Sequence, residues 1–461
     1  METLSQVSSS DFSPGSNSPP PVLIELDCGL GKRVLSYLLV EKYFPTKRTL
    51  ILLQATSSLM ETYEYFTTKY QMKDIGFLGS RTPSFRRAEL LRTNRVVLAT
   101  PQTFANVVAK LDITTVNFDI ILINEIDKIV RRTATRRTLV FPYNKILELF
   151  DASWIVGLSG TLRDTHMFIT DTVRLRAELQ TLAENLPGVR VITMDEIMNS
   201  DPNFQDYIEY TVIRTHPISD PIIEGLLKRL DTLVVQYRKE ILEQARKEGL
   251  IDDHTKNLAL IAGQLPVDSE VAAKYDSLLM MRKYLTGMLP VKFRPFLARF
   301  SEISKEEIDK VSDKSAKIQV LPLVLSNSKK SLVMVSYVYT GEIIQKYLTA
   351  AGFTAFFVSG MVVDKAGVIN AFRKCSDPKV VLILTQVGER DLDIPEAKLI
   401  VVYDTVNTTK TMYQRFKRTR GGEVVCLYYQ NTSEEAKVVR LLKNIQERYP
   451  WSTKIPQLSP G

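Results

Sequence analysis

Between Val22 and Ile213, short apolar runs alternate with segments of helical length. The runs are VLIEL (22–26), LILLQ (50–54), RVVLAT (95–100), DIILIN (119–124) and WIVGLS (154–159). Each is β-branched or Leu-rich and continuous rather than alternating, the pattern of a strand covered on both faces. Strands separated by helices predict a parallel sheet wrapped on both sides, a doubly wound α/β domain. From about Pro221 to about Lys310 the strand signal disappears. Apolar residues there recur at spacings of three and four, as in IIEGLLKRLDTLVVQYRKEILEQARKEG and AAKYDSLLMMRKYLTGML, which predicts helices. Gly249 and Pro290 punctuate them. From about Val320 the alternation returns, in SLVMVSY (331–337), TAFFVS (354–359), KVVLILT (379–385), KLIVVYD (398–404) and EVVCLYY (423–429). The expected organisation is a disordered Ser/Pro/Gly tail over 1–20, an α/β domain over 21–216, a helical insertion over 217–315 and a second α/β domain over 316–461.

Composition narrows the class. A length of 461 residues allows about three domains, and 44% apolar with 24% charged residues is ordinary for a soluble globular chain. No apolar run approaches the roughly 18 residues of a membrane span, and the N-terminus lacks the basic start and apolar core of a signal peptide. Cys28, Cys375 and Cys426 lack CxxC spacing, and with only three His no metal site is expected. An intracellular protein, cytoplasmic or nucleoid-associated, is the expectation. Lys and Arg exceed Asp and Glu by 60 to 52, a net of +8 that suits nucleic acid without requiring it.

Two segments carry candidate chemistry. The first strand runs into Gly29-Leu30-Gly31-Lys32-Arg33 and then an apolar helix. A glycine turn between strand and helix aims backbone N–H groups and a helix N-terminus at one point, which suits phosphate. Lys32 would reach the terminal phosphates. The next residue is ordinarily a Ser or Thr whose hydroxyl binds Mg²⁺; Arg33 cannot bind a cation. The second segment is Asn124-Glu125-Ile126-Asp127, directly after DIILI. An acidic pair at such a strand end holds Mg²⁺ and orients water in nucleotide-driven motors. Asn124 is a weaker ligand for a hard cation, while Glu125 can still act as a base.

Taken in order, these segments resemble superfamily 2 helicases, most closely the branch with the archaeal Hef helicase–nuclease, the FANCM translocase, the RIG-I-like receptors and the Dicer helicase. Gly29 to Lys32 looks like motif I, Gln54-Ala55-Thr56 like motif Ia, and Ala99-Thr100-Pro101-Gln102-Thr103 like motif Ib. Asn124 to Asp127 sits at the DEAH-box position, and Gly157-Leu158-Ser159-Gly160-Thr161 looks like motif III. Val333 to Ser336 looks like motif IV, and Leu384 to Glu389 with Leu392-Asp393-Ile394-Pro395 like motif V. Tyr413-Gln414-Arg415-Phe416-Lys417-Arg418-Thr419-Arg420 resembles motif VI. The resemblance spans Val22 to Glu447 and implies two RecA-like domains with an inserted helical domain. It implies nucleotide contacts from Gly29, Gly31, Lys32, Arg33, Asn124 and Asp393, and catalytic roles for Glu125, Gln414, Arg418 and Arg420. Ser159, Thr161 and Asp127 would couple nucleotide to nucleic acid.

The departures from the family pattern cluster on ATP chemistry. Arg33 replaces the magnesium hydroxyl, Asn124 the acidic ligand, and Asp127 the coupling His. Lys417 stands at a usual Gly and Gly421 at the final Arg, unless Arg420 substitutes after a one-residue shift. Asp391 takes a usual Gly in motif V, and the adenine-binding segment expected before Val22 is the Ser/Pro tail. Magnesium neutralises charge in phosphoryl transfer, and an arginine finger is worth about 10³ to 10⁵ in rate. ATP and Mg²⁺ are the implied cofactors, and these losses count against both. The simultaneous loss predicts a degenerate ATPase in which Arg33 pairs with Glu125.

The strand-binding positions keep polar residues. By position these are Thr56, Thr100, Gln102, Ser336 and Thr385, short donors suited to phosphates, which position a strand without reading sequence. Arg131, Arg132, Arg136 and Arg137 form a dense cluster after motif II, and Arg makes bidentate phosphate contacts better than Lys. The expected function is binding of branched or single-stranded DNA in repair or fork processing, with impaired ATPase, as scaffold or regulator of a nuclease. An XPF-family nuclease acting in trans is the partner the resemblance implies, or another repair protein, with no membrane. The alternatives are an active ATP-dependent DNA helicase with noncanonical ligands, and an RNA-binding relative of the RIG-I-like helicases.

Overall fold

The computed structural model describes residues 19–27, 29–79, 82–110, 116–132, 137–150, 153–160, 162, 184–251, 270–300, 302–385, 394, 396–418 and 421–456, without the side chains of 131, 132, 137 and 138. The chain divides into two compact units, residues 1–208 and 209–461.

The first unit holds a seven-stranded parallel sheet. Its strands are β1 (Val22–Glu25), β2 (Thr49–Leu52), β3 (Ile75–Leu78), β4 (Val96–Ala99), β5 (Ile120–Asn124), β8 (Trp154–Ser159) and β9 (Arg190–Ile192), in the order β3-β4-β2-β5-β8-β1-β9. Between β5 and β8 the chain forms a separate antiparallel ribbon, β6 (Val130–Arg132) with β7 (Arg137–Leu139). The helices that cover the sheet and matter below are α1 (Lys32–Leu38), α2 (Thr56–Glu64), α3 (Ser84–Thr93), α4 (Pro101–Val108), α5 (Tyr143–Leu149) and α6 (Met194–Ser200). The five apolar runs form β1, β2, β4, β5 and β8, buried throughout except for half-buried Asn124. The core is Leu, Ile, Val and Phe from both sheet faces, among them Leu50, Val97, Ile121 and Phe104.

The order puts β8 between β1 and β5, so their carboxyl ends lie side by side. Close packing of this region needs a residue without a side chain at 157. A Cβ there would stand 2.6 Å from Leu23 and 2.8 Å from Ile126.

The second unit has its own parallel sheet. It comprises β10 (Thr211–Ile218), β11 (Lys330–Val335), β12 (Thr354–Val358), β13 (Val380–Thr385), β14 (Leu399–Val402), β15 (Glu423–Tyr429) and β16 (Thr453–Lys454), in the order β12-β13-β11-β14-β15-β10-β16. The boundary expected at residue 216 falls inside β10, which pairs with β15 from Val212 to Ile218. The helical insertion therefore leaves the second sheet after β10 and returns to it before β11. Its helices are α7 (Pro221–Lys247), α8 (Glu270–Gly287), α9 (Pro290–Leu297) and α10 (Lys305–Asp309). Asp220 caps α7, accepting from the Ile223 N–H at 3.1 Å, with Pro221 at the first helical position. The apolar stripe Ile223, Leu226, Leu227, Leu230, Leu233 and Val234 packs with Leu278, Met281 and Leu285 of α8 and with Phe293. Ile218 and Tyr429 of the sheet share that core. The two ends of the insertion meet, since Asp220 and Ser315 line one small cavity beside Tyr429. Four further helices cover this sheet, α11 (Ala316–Leu325), α12 (Val338–Ala350), α13 (Lys365–Lys374) and α14 (Thr409–Phe416), and α15 (Ser433–Arg448) closes the fold.

Candidate functional site

In the first unit, β1 ends at buried Glu25 and the chain turns through Gly29 and Gly31 into α1. Both glycines have positive φ, 84° and 83°, so a side chain at either would be strained. Gly31 is the residue before α1, with no side chain to occupy the helix N-terminus, which leaves the backbone N–H groups there for an anion. Lys32 turns back into this loop. Its ammonium donates to the Leu26 carbonyl at 3.1 Å and lies 4.0 Å from the Glu125 carboxylate. Lys128, one turn on, comes within 3.5 Å of the other Glu125 oxygen.

Glu125 has φ 56° and ψ 49°, a left-handed conformation uncommon outside glycine. Such an outlier next to candidate chemistry indicates a backbone held for the position of its side chain. Asn124 is half-buried, and its Oδ1 has no hydrogen-bond partner. Asp127 is buried and accepts from the Ser159 hydroxyl at 2.7 Å. This bond ties the segment after β5 to the end of β8. It joins two of the expected coupling residues, and Thr161 lies outside the described residues.

Arg33 does not pair with Glu125. It is the second residue of α1 and reaches α2 instead, donating to Glu61 at 2.9 Å with its guanidinium over the Tyr65 ring. The helix turn that aims Lys32 into the loop sends its neighbour about 100° round the axis, away from it.

The phosphate arm of a nucleotide fits this loop: a glycine turn, a helix start without a side-chain cap and a lysine turned back into the loop. The metal donors do not fit as well. Position 33 offers a committed guanidinium and position 124 a neutral amide, leaving Glu125 already flanked by Lys32 and Lys128.

The positions expected to bind a nucleic-acid strand in the first unit follow β2 and β4. Thr56 opens α2, and Thr100 precedes Pro101 at the start of α4. The Thr100 hydroxyl donates to that of Thr103 at 2.8 Å, and exposed Gln102 donates to Asn106 at 3.1 Å. Gln54 is held from behind by the hydroxyl of Tyr143. Arg131 and Arg132 lie on β6 and Arg137 on β7, a backbone placement that puts the three on one ribbon. Arg136 lies outside the described residues.

In the second unit, Ser336 follows β11 and is engaged twice by one carboxylate. Its N–H and its hydroxyl donate to Asp404 at 2.7 and 2.8 Å. Thr385, ending β13, is buried, and its hydroxyl has no hydrogen-bond partner. Gln414 and Arg418 are half-buried in and just after α14. Between them Arg415 is buried against Asp404, at 3.7 Å, and so belongs to the frame. Asp393 and Arg420 lie outside the described residues.

Several residues here escape motif reading. Glu61 and Asp404 are far in sequence from their partners, and only Lys128, three residues after Glu125, had a local signal in i,i+3 charge pairing.

Two RecA-like parallel-sheet domains, one with a glycine turn and a lysine beside an acidic strand end, are the architecture found in nucleotide-driven motors. Two family models match the sequence: the res subunit of type III restriction enzymes over residues 2–164, and the helicase conserved C-terminal domain over residues 314–422. Together these two matches support a superfamily 2 helicase. A curated relative from Methanocaldococcus jannaschii, named as a candidate ATP-dependent RNA helicase, is 23% identical over 92% of this chain. This chain spans 59% of that relative's length. Among solved structures, the Pyrococcus furiosus Hef helicase domain matches with a TM-score of 0.57 at 18% identity, covering 91% of this chain and 94% of that one. Saccharomyces cerevisiae Dbp5, solved with RNA and ADP BeF3, matches with a TM-score of 0.51 at 13% identity, covering 95% and 86%. Helicase domains of this kind imply ATP binding, usually with Mg²⁺. Among the described residues, no helix is long and apolar enough to cross a membrane.

Proposed function

We propose that this superfamily 2 helicase homologue has impaired or lost ATP hydrolysis and binds branched or single-stranded DNA in repair or fork processing. On this reading it acts as a scaffold or regulator of a nuclease, of the XPF family or another repair partner. The observation that carries the proposal is the commitment of Arg33 to Glu61. A guanidinium pointing into the loop would substitute for metal charge, but one spent on a neighbouring helix supplies neither ligand nor charge. Lys32 and the glycine turn remain suited to holding phosphate, so binding can outlast turnover.

A second reading, an RNA-binding or RNA-remodelling protein, is favoured by the name of the Methanocaldococcus relative. Backbone contacts at Thr56, Thr100 and Gln102 do not discriminate the sugar 2′-hydroxyl.

The test is ATP turnover by the purified chain with fork DNA, single-stranded DNA and RNA, beside ATP binding by calorimetry. The expected result is nucleic-acid binding with no stimulated turnover. Stimulated turnover on the order of 1 s⁻¹, at the low end of ordinary enzymes, lost in Lys32→Ala and Glu125→Gln, would establish an active motor and overturn the proposal.

A further inference from the structure

A cavity of about 600 Å³ opens in the second unit where the helical insertion meets the carboxyl ends of β11 and β14. One wall comes from α7 and α8. The other comes from the ends of those strands and the first turns of α14 and α15.

Two carboxylates line it, and both are spent inside the protein. Asp404 is held by Ser336 and Arg415. Glu434 takes Lys317 at 2.6 Å and the Tyr429 N–H at 2.9 Å. All four charged side chains are buried, so these pairs present little net charge to the space.

The cations are balanced less fully. Arg282 is ion-paired with Asp231 of α7 at 2.7 Å. Lys437 donates to the neutral amide of Asn407 at 2.7 Å. Exposed Lys283 makes no ion pair among the described residues. Burial lowers the Lys437 amine from its ordinary 10.5 to about 8, with Lys283, Arg282 and Arg440 pushing the same way against Glu434. Thr405, Thr408, Thr411 and Ser433 also line the cavity. Donors on opposing walls around an open volume suit a tetrahedral anion with several acceptor oxygens better than a planar carboxylate.

We infer that this cavity is a phosphate-binding site in which Lys283 of the insertion and Lys437 of the second α/β domain grip one phosphate-bearing ligand from two sides. The inference is independent of the phosphate loop, which lies in the first unit; where the phosphate belongs to a nucleic-acid backbone, it rests on the proposed strand-binding role of Ser336, which lines the cavity. The phosphate comes from a nucleic-acid backbone or from a free polyphosphate.

The experiment uses the full chain and inorganic tripolyphosphate, with binding followed by calorimetry in two buffers of different ionisation enthalpy. Tripolyphosphate is expected to bind, with proton uptake near pH 8 as the anion favours charged Lys437. Lys283→Glu, an exposed charge reversal that leaves packing intact, is expected to weaken binding about tenfold or more. Lys437→Met is expected to weaken it similarly and to abolish the proton uptake. Lys310→Ala, on an exposed lysine of α10 paired with Glu306, is expected to change nothing. Competition by a short single-stranded oligonucleotide identifies the backbone as source, and its absence identifies a free anion; either outcome supports the site. No binding by the wild-type chain, or equal binding by Lys283→Glu, overturns it.

Discussion

At position 33 the chain places a guanidinium where the family has a hydroxyl, and at 124 an amide where it has a carboxylate. If those two exchanges are what limits hydrolysis, restoring them should restore part of it. The variant Arg33→Thr with Asn124→Asp is expected to raise Mg²⁺-dependent ATP turnover by about tenfold or more, as metal charge is returned to the phosphates. A steady-state assay across magnesium concentrations checks this, and unchanged turnover would place the defect in motif VI instead. A second residue-scale consequence concerns Lys437. Its amine binds its proton less tightly in the fold than in the open chain, about 8 against 10.5. The unfolded chain therefore holds more protons between those values, and stability attributable to Lys437 rises as pH climbs through that window. Below about pH 8 the penalty is constant. Unfolding of wild type and Lys437→Met across pH 7 to 10.5 reads the difference directly.

At the scale of elements, two packing sites set the frame. Gly157→Ala would press a methyl into Leu23 and Ile126 just beneath the loop segments, with an expected cost of about 1–3 kcal/mol. Leu230→Ala would open the α7–α8 core, where Leu230 is fully buried, at about 2–5 kcal/mol. Denaturant unfolding measures both, and a Leu230→Ala chain as stable as wild type would mean that the insertion contributes no cooperative core. Most elements were legible because parallel strands buried on both faces are written as unbroken apolar runs. Those missed have weaker patterns. Strand β10, TVIRTHPI, mixes exposed and buried positions with a His and a Pro, and β3, IGFL, is short and carries a glycine. Reading β10 as the end of the first domain displaced the boundary by one strand.

At the scale of the whole molecule, the site was only partly legible. The glycine turn with Lys32 and the position of Glu125 were legible because each follows directly on the end of one strand, β1 and β5. The Arg33–Glu61 pair, the Ser336–Asp404 bonds and the Lys283–Lys437 cavity could not, because each joins elements distant in sequence. Nucleic-acid affinity of the entire chain is expected to fall linearly with salt on logarithmic axes. The slope is about −0.7 per phosphate contacted on a single strand. Fluorescence anisotropy titrations from low to moderate salt check this, and a flat response would exclude the basic clusters as the footprint.

The meeting of Asp220 and Ser315 has a consequence for engineering. A segment whose entry and exit adjoin can be acquired or lost without severing any strand of its host. The bundle from α7 to α10 is in that sense a detachable module, inserted between neighbouring points of the parallel sheet. A short splice joining the chain near 219 to the chain near 315 would leave all seven strands of that sheet in their original order.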